Sequence, residues 1–327
     1  MLKFDKLKIV VPALNCIDNI NLNKFSTISK NGVISEYKYQ QVSPYLLYIE
    51  KDITDKEVII EFTGKILGSH YSELINQTNI RQCLANINTL ELCILDIDTI
   101  LSKGKVVKTD VTIDTEYPDI TCLTKELQSC IKSNERYTAV NKRGNFVVEK
   151  NVKTKNRKLR LIIYDKEQEM YLQENHRWLQ SMNDAEVQNL IKYFKNKKRF
   201  ELNLNSIKAI KDWLCISDNS LSSVLNAEAN PIMAFLDSIL VDNAEAHIVH
   251  TLHDAERVAL MKANAFDMKA VENVIRLHKS PKTNISQAMK PYRELYKALN
   301  ENEATSLKER LKDILLEIFL IGFFVSF

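Results

Sequence analysis

The stretch Arg157-Lys158-Leu159-Arg160-Leu161-Ile162-Ile163-Tyr164-Asp165-Lys166-Glu167-Gln168-Glu169 joins a basic cluster, an apolar β-prone run and an alternation of charges suited to opening a helix. In a strand, side chains two apart share a face, so Tyr164 lies on the side of Ile162, with Lys166 following if the strand continues. A phenol, an ammonium and the Glu169 carboxylate therefore fall within six residues. One reading is a nucleophile beside a cation. The other is a tyrosine capping a half-buried strand, with Lys166 and Glu169 in solvent; a motif this short does not separate the two.

The surroundings are basic. From Lys142 to Arg160 there are eight Lys or Arg, among them Lys142, Arg143, Arg157, Lys158 and Arg160, against one acid, Glu149. A second run holds Lys192, Lys195, Lys197, Lys198 and Arg199. Such clusters can neutralise phosphates, although a solvated hairpin explains either run alone. The net charge of +3 over 327 residues decides nothing by itself, while the length suggests two domains.

Several classes are excluded. The six cysteines show no CxxC spacing, which argues against a zinc site or a disulfide scaffold and for reduced thiols in the cytoplasm. No GxGxxG or phosphate-loop pattern is present, so neither a dinucleotide cofactor nor an intrinsic ATPase is expected. The first six residues lead into a strand-like run without the apolar core of a signal peptide. The almost wholly apolar tail 315–327, interrupted by Glu317, is 13 residues long. A membrane span needs about 20, so a packed terminal helix or a partner contact is expected, and no membrane.

Working outward, residues 7–12, 33–39, 46–50 and 58–62 are short β-prone runs separated by turn residues. Residues 79–99 carry Ile80, Leu84, Ile87, Leu90 and Ile94 at helical spacing, with Asn79 near the cap. Residues 106–114 form a strand in which Asp110 shares a face with Thr112 and Asp114, and a carboxylate inside a strand is unusual. A helix over 121–134, a hairpin within 137–150 around Lys142-Arg143-Gly144-Asn145, the strand 159–164, helical residues 165–194 and a last strand 199–204 complete the region. The order points to an α+β fold, a mainly antiparallel sheet with helices on one face. After Cys215 the pattern turns helical, which divides the chain into 1–215 and an accessory domain, 216–327. Residues 266–286 suit a helix-turn-helix with Lys279, Lys282 and Lys290 near a duplex, or a plain packing module.

The ordered set Ile60-Glu61-Phe62-Thr63 with Lys65, Lys108-Thr109-Asp110-Val111-Thr112, Tyr164-Asp165-Lys166 with Glu169, and Arg199-Phe200-Glu201-Leu202 resembles the replication initiators of filamentous phages, the gene II/X type. The Tyr-Asp-Lys-x-x-Glu run is also similar to plasmid rolling-circle initiators of the Rep_trans class. The resemblance covers roughly two-thirds of the chain, from Leu7 to Cys215. It implies a DNA strand-nicking and joining enzyme with Tyr164 as nucleophile and Lys166 as the basic residue after it. Glu61, Asp110 and Glu201, with Glu169 as a fourth, match the acidic residues that hold a divalent metal, and Lys65 joins the DNA-binding residues. Implied partners are single-stranded and supercoiled origin DNA and a host helicase and polymerase.

That chemistry suits these residue types. A phenol with a reference pKa near 10 needs a metal, a base or a cation to attack a phosphodiester at neutral pH. Carboxylates favour hard ions, Mg²⁺ or Mn²⁺. The product is a 5′-phosphotyrosine and a free 3′-hydroxyl able to prime synthesis. The His-hydrophobic-His metal motif of many nickases is absent, and His247, His250 and His253 read as scattered surface residues. Two alternatives stay open at this point: an origin-binding initiator or repressor without catalysis, and a metal-dependent nuclease that uses water.

Overall fold

The computed structural model describes residues 2–41, 45, 47–117, 119–130, 137–142, 144–150, 159–240, 249, 251–280, 284–301 and 309–315. In Phe4–Val11 (β1), fully buried Leu7, Ile9 and Val11 alternate with Lys6 and Lys8, the period-two signature of a strand with one apolar side. There follow β2 (Ile17–Asp18), β3 (Ser26–Lys30), β4 (Val33–Gln41), β5 (Leu47–Asp52) and β6 (Glu57–Thr63). The four expected β-prone runs are β1, β4, β5 and β6. Two of these strands are unexpected: β2, only two residues long, and β3, exposed along its whole length and so without an apolar alternation to announce it.

Residues 79–99 are not one helix. Helix α1 (Ile80–Asn88) stops at Thr89, and Glu91 takes a left-handed φ of 54°. The Asn88 side chain then clamps the Leu95 backbone, accepting its N–H at 2.8 Å and donating to its carbonyl at 3.1 Å. This holds β7 (Ile94–Leu95), and α2 (Ile97–Lys103) starts afresh on an Asp96 cap. Apolar spacing carries no information about such a clamp. Asn79 stands at the N-cap of α1 but turns its side chain to the Leu74 carbonyl and the Asn76 N–H.

Beyond it lie β8 (Lys105–Glu116), α3 (Ile120–Cys130), the hairpin β9 (Tyr137–Lys142) and β10 (Asn145–Lys150), and β11 (Leu159–Asp165). Gly144 supplies the φ of +80° that the hairpin turn requires. The helical residues after 165 form three pieces: α4 (Lys166–Met170), α5 (Gln173–Leu179) and α6 (Asp184–Phe194). Asp165 caps α4 by accepting the Gln168 N–H at 3.0 Å, and Asn183 with Glu186 forms a capping box on α6. Then come β12 (Lys197–Leu204), α7 (Ile207–Leu214), α8 (Leu221–Leu225), α9 (Pro231–Ile239), α10 (Leu252–Ala263), α11 (Met268–His278) and α12 (Ile285–Glu301).

Among the described residues, ten strands form one antiparallel sheet in the order β3-β4-β5-β6-β1-β8-β12-β11-β10-β9. The α+β class expected from the sequence is what the chain adopts. Two halves of the sheet have the same connectivity. From the centre outward one reads β1, β6, β5, β4, β3 and the other β8, β12, β11, β10, β9. The first strand of each half is central, its last strand pairs with it, and the others follow outward. Strands β5 and β11 are thus topological equivalents, as are β6 and β12.

One face of the sheet is apolar, with Leu7, Ile9, Ile60, Phe62, Val111, Phe200, Leu202, Leu161 and Ile163 buried. Gly104, at the end of α2, lies against it: a Cβ there would stand 3.0 Å from Ile9 Cγ2 and 2.5 Å from the Ile100 carbonyl oxygen. The opposite face is polar. Over one end of it, the 3₁₀ segment Gly64–Glu73 and helices α4–α6 gather Tyr71, Leu74, Met170, Trp178, Leu190 and Phe194 into a core.

By its contacts the chain divides into two compact units, one comprising Met1–Thr121, Ser133–Ser238 and Ile314–Phe327, the other Cys122–Lys132 and Ile239–Asp313. The first runs on past Cys215 for a physical reason. Asn219 exchanges hydrogen bonds with Val106 of β8 at 2.8 and 2.9 Å, Leu221 donates to the Gly104 carbonyl, and Leu221, Val224 and Leu225 are buried. In the second unit α10, α11 and α12 pack around Val258, Met261, Val271, Ile275, Met289 and Leu295. Residue Lys282 and most of the apolar tail lie outside the described residues. Among the described residues no helix is long and apolar enough to cross a membrane.

Candidate functional site

Residues directly opposite in an antiparallel ladder share a face, so the register lays out the polar side as rows. One row is Tyr48, Glu61, Lys8 and Lys108. The next is Thr63, Lys6, Asp110, Asn203 and Arg160. A third pairs Thr112 with Glu201 and Ile162, and a fourth Asp114 with Arg199 and Tyr164. Tyr164, Glu61, Asp110 and Glu201 are therefore on one face, as the sequence reading requires, carried by β11, β6, β8 and β12.

Half-buried Tyr164 donates its hydroxyl to Glu201 Oε2 at 3.3 Å, and Asn203 Nδ2 donates to the other Glu201 oxygen at 2.9 Å. Burial, reinforced by the charges of Asp110 and Asp5, pushes the Glu201 carboxyl up to about 7. Burial and then the Glu201 charge push the Tyr164 phenol well above its ordinary value. The pair is a phenol with a proton acceptor of near-neutral affinity.

Strand β11 ends at Asp165, so Lys166 does not continue along its face. Its place at the first position of α4 turns the side chain back instead, and Nζ stands 5.9 Å from the Tyr164 ring centroid. Lys166 is 1 % exposed, which rules out the solvated reading. It donates to Tyr71 Oη at 3.1 Å and forms a close ion pair with Glu169. Burial and then the nearby Arg199 lower its ammonium to about 8. Burial would raise Glu169, but Lys166 and Lys65 outweigh it and hold that carboxyl at about 2. Lys65 is engaged inside the protein: it donates to Asn175 Oδ1 at 2.6 Å, pairs with Glu169 at 3.8 Å and lies over the Trp178 ring. Glu169 thus serves these two cations and not a metal cluster with Glu61, Asp110 and Glu201.

Beneath Tyr164 the fully buried Arg199 grips Asp114 through two bonds of 2.6 and 2.7 Å, and also donates to Asp5 at 2.9 Å and Tyr71 Oη at 2.7 Å. This network fixes β12 against β8 and the Tyr71 core, and with them the Glu201 side chain two residues along.

The acidic trio does not converge. Among the described residues, the three carboxylates whose oxygens lie within 4.8 Å of one another are Glu36, Glu50 and Asp52. Between Glu61 and Asp110 stands the Lys6 ammonium, 3.1 Å from Asp110 Oδ2 and 3.9 Å from Glu61, which also has Lys8 at 3.5 Å and Lys108 at 3.8 Å. Asp110 Oδ1 is buried and accepts no hydrogen bond. A buried carboxylate oxygen left open in this way is the kind of donor that hard cations take, and the Lys6 ammonium stands beside the other oxygen of the same carboxylate.

Of the expected phosphate-binding residues, Arg160 lies on the polar face and pairs with Glu149 at 3.6 Å. The side chain of Lys142, and Arg143, Arg157 and Lys158, lie outside the described residues. His253 is exposed and pairs with Glu256, whereas His247 and His250 are also outside them. The described cysteines Cys16, Cys83, Cys93, Cys122 and Cys215 are free. Arg199 and Lys198, read in the sequence as part of a basic run able to neutralise phosphates, are instead buried and paired with Asp114, Asp5 and Asp165. Residues that the sequence reading passed over are Lys6, Lys8, Asp5 and Tyr71. Lys6 and Lys8 carried a signal, since two lysines alternating with Leu7 and Ile9 mark a strand whose second face is charged. Tyr71 and Asp5 carried none, because their roles come from contacts 128 and 194 residues away along the chain. Comparison with protein-family models, with curated proteins and with solved structures finds no match for this chain.

Proposed function

We propose that this chain nicks and rejoins one strand of DNA through Tyr164, as an initiator of rolling-circle replication. The observation that carries the reading is the Tyr164–Glu201 hydrogen bond of 3.3 Å, on a face whose other charges include Lys6, Lys8 and Lys108. Tyr164 Oη attacks phosphorus while its proton passes to Glu201, which Asn203 holds in place. The bond from phosphorus to the 3′ oxygen breaks, leaving a 5′-phosphotyrosine and a free 3′ end. Lys166 lies over the tyrosine ring, so its charge favours the phenolate as it forms. The lysine row offers ammonium groups to the phosphates of a single strand lying across the face.

A Mg²⁺ or Mn²⁺ ion would be held by Asp110 Oδ1 and Glu61, in the position that Lys6 takes, and would supply charge to a non-bridging phosphate oxygen. On this reading the setting is the cytoplasm, the substrate is single-stranded or supercoiled origin DNA, and a host helicase and polymerase extend the free 3′-hydroxyl. The second unit, with its α10–α12 core, is an accessory DNA-binding module.

The test is incubation of the protein and its Tyr164→Phe variant with labelled single-stranded origin DNA, with Mn²⁺ and with EDTA, followed by a denaturing gel. The expected result is a protein-linked strand that Tyr164→Phe does not form. A second reading, a binding protein without catalysis, draws on the pairing of Glu61 with three ammonium groups; it expects DNA retention with no adduct from either protein. Cleavage without an adduct in both would mark a water-using nuclease.

A further inference from the structure

Buried Tyr71, in the 3₁₀ segment Gly64–Glu73, has a hydroxyl that makes every hydrogen bond a phenol can make. It donates to Asp5 Oδ1 at 2.7 Å and accepts from Arg199 at 2.7 Å and from Lys166 Nζ at 3.1 Å. The ring is fixed as well. Trp178 meets it edge-on at 5.1 Å, Phe194 lies at 5.7 Å, and Gly64 comes so near that a Cβ there would stand 3.3 Å from Tyr71 Cε2. A core tyrosine needs one partner for its hydroxyl, whereas this one serves two cations and a carboxylate.

The described hydrogen bonds of the Lys166 ammonium go to Tyr71 and to Glu169, and the two acceptors draw it in different directions. Glu169, three residues on in α4, is held in turn by Asn175 and Lys65, and its side chain is 24 % exposed. Tyr71 is tied through Asp5 to β1 and through Arg199 to β12, and β12 pairs with β11, the strand that carries Tyr164. Its hydroxyl therefore registers the ammonium against the sheet, with Nζ 5.9 Å from the Tyr164 ring centroid. The balance of charge needs such an acceptor. Burial, Arg199 of β12 and Lys65 disfavour the Lys166 ammonium, while Glu169 of α4 and Asp5 of β1 favour it. The Tyr71 oxygen is a neutral acceptor that favours the charged form further.

We propose that Tyr71 is a positioning residue for strand nicking, whose hydroxyl holds the Lys166 ammonium against the Tyr164 ring, where it offsets the charge that develops on the phenol oxygen as the proton leaves for Glu201. The proposal rests on the strand-nicking reading of Tyr164. Tyr71 itself forms and breaks no covalent bond, and burial keeps its own phenol protonated. In Tyr71→Phe the ring stays and the acceptor goes. Lys166 then gives up its proton more readily, so its affinity falls below about 8 and the range in which the ammonium is charged ends at a lower pH.

The experiment compares the full chain with its Tyr71→Phe variant in two readouts. The first is the pH profile of single-turnover Tyr164 adduct formation on a labelled, random-sequence single-stranded oligonucleotide library with Mn²⁺. The second is the titration of Lys166 itself, followed by NMR of protein carrying ¹³C,¹⁵N-labelled lysine, with Lys166→Met to identify the signal. Tyr71→Phe is expected to move both the basic limb and the Lys166 titration down by about one pH unit while the acid limb stays in place. The rate is then about threefold below wild type at about pH 7.5, about tenfold below it at about pH 9, and nearly unchanged at about pH 6. Gly104→Ala, which disturbs packing against Ile9 and Ile100 outside this network, keeps both limbs where wild type has them. A basic limb that stays in place in Tyr71→Phe, a uniform loss of rate at every pH, or an unmoved Lys166 titration overturns the proposal and leaves the nicking reading standing. A basic limb that moves equally in Gly104→Ala makes the shift a consequence of lost stability and overturns the proposal too. No Tyr164 adduct from the wild type overturns the nicking reading, and the role of Tyr71 falls with it.

Discussion

If Glu201 takes the Tyr164 proton, the rate of adduct formation follows the ionisation of two groups whose affinities burial has brought close together. Glu201 must be deprotonated and stands at about 7; Lys166 must be protonated and stands at about 8. The product of the two fractions peaks near pH 7.5 at about 0.6 and falls to about 0.09 near pH 6 and near pH 9, a decline of roughly sixfold on either side. The assay is single-turnover adduct formation, quenched in denaturant and read on a gel, at constant ionic strength between about pH 5.5 and pH 9.5. Glu201→Gln removes the acceptor but keeps the shape and one hydrogen-bonding oxygen. The expected loss is roughly a hundred- to ten-thousand-fold, with the acid limb gone from whatever rate remains. A stability measurement gives an independent check on the same carboxyl. Its affinity is raised by burial above its ordinary value of 4.5, so its charged form disfavours folding, increasingly as pH rises from there to about 7. Glu201→Gln should therefore be more stable than wild type above pH 7 and lose that advantage in acid. A profile with no acid limb in the wild type, or an unchanged limb in Glu201→Gln, would refute the assignment of Glu201 as the base.

Other expectations follow from the same geometry. Arg199→Met leaves Asp5 and Asp114 without their buried partner and should cost roughly 3–5 kcal/mol at neutral pH. Urea titration followed by tryptophan fluorescence should read this through Trp178, whose ring meets Tyr71 edge-on at 5.1 Å. The deficit should shrink in acid. Arg199 and Lys166 depress Asp5 against the effect of burial, so in the wild type its contribution is present above the unfolded value and is lost as pH falls through the folded one. Gly104→Ala drives a methyl to 2.5 Å from the Ile100 carbonyl oxygen and should lower stability by roughly 1–3 kcal/mol, measured by the same titration. Lys6→Met removes the ammonium that competes for Asp110 and Glu61. A unit charge about 4 Å away is worth about 4 kcal/mol at an effective dielectric near 20. Allowing for screening, Mn²⁺ should bind at least roughly tenfold more tightly by calorimetry, and weaker binding would exclude a cation at that position.

The local periodicities were legible in the sequence. Leu7, Ile9 and Val11 against Lys6 and Lys8 fix which face of β1 is apolar, and the same alternation runs through β8 and β12, because a strand needs no distant partner to have two sides. Tyr164, Glu61, Asp110 and Glu201 could be assigned to strands for that reason, and each is in one. The split of 79–99 into α1, β7 and α2 was not legible, because Asn88 stops the helix through a side-chain bond to Leu95 that apolar spacing does not encode. Nor was the fate of Lys166, set by the Asp165 cap that ends β11 and turns the ammonium inward. Strand order was decided by tertiary structure alone: placing β1 between β6 and β8 brings Lys6 between Glu61 and Asp110. Local pattern therefore determined which side of each strand carries charge, whereas the charges that meet, and the affinities burial gives them, depend on pairings between segments separated by up to 194 residues.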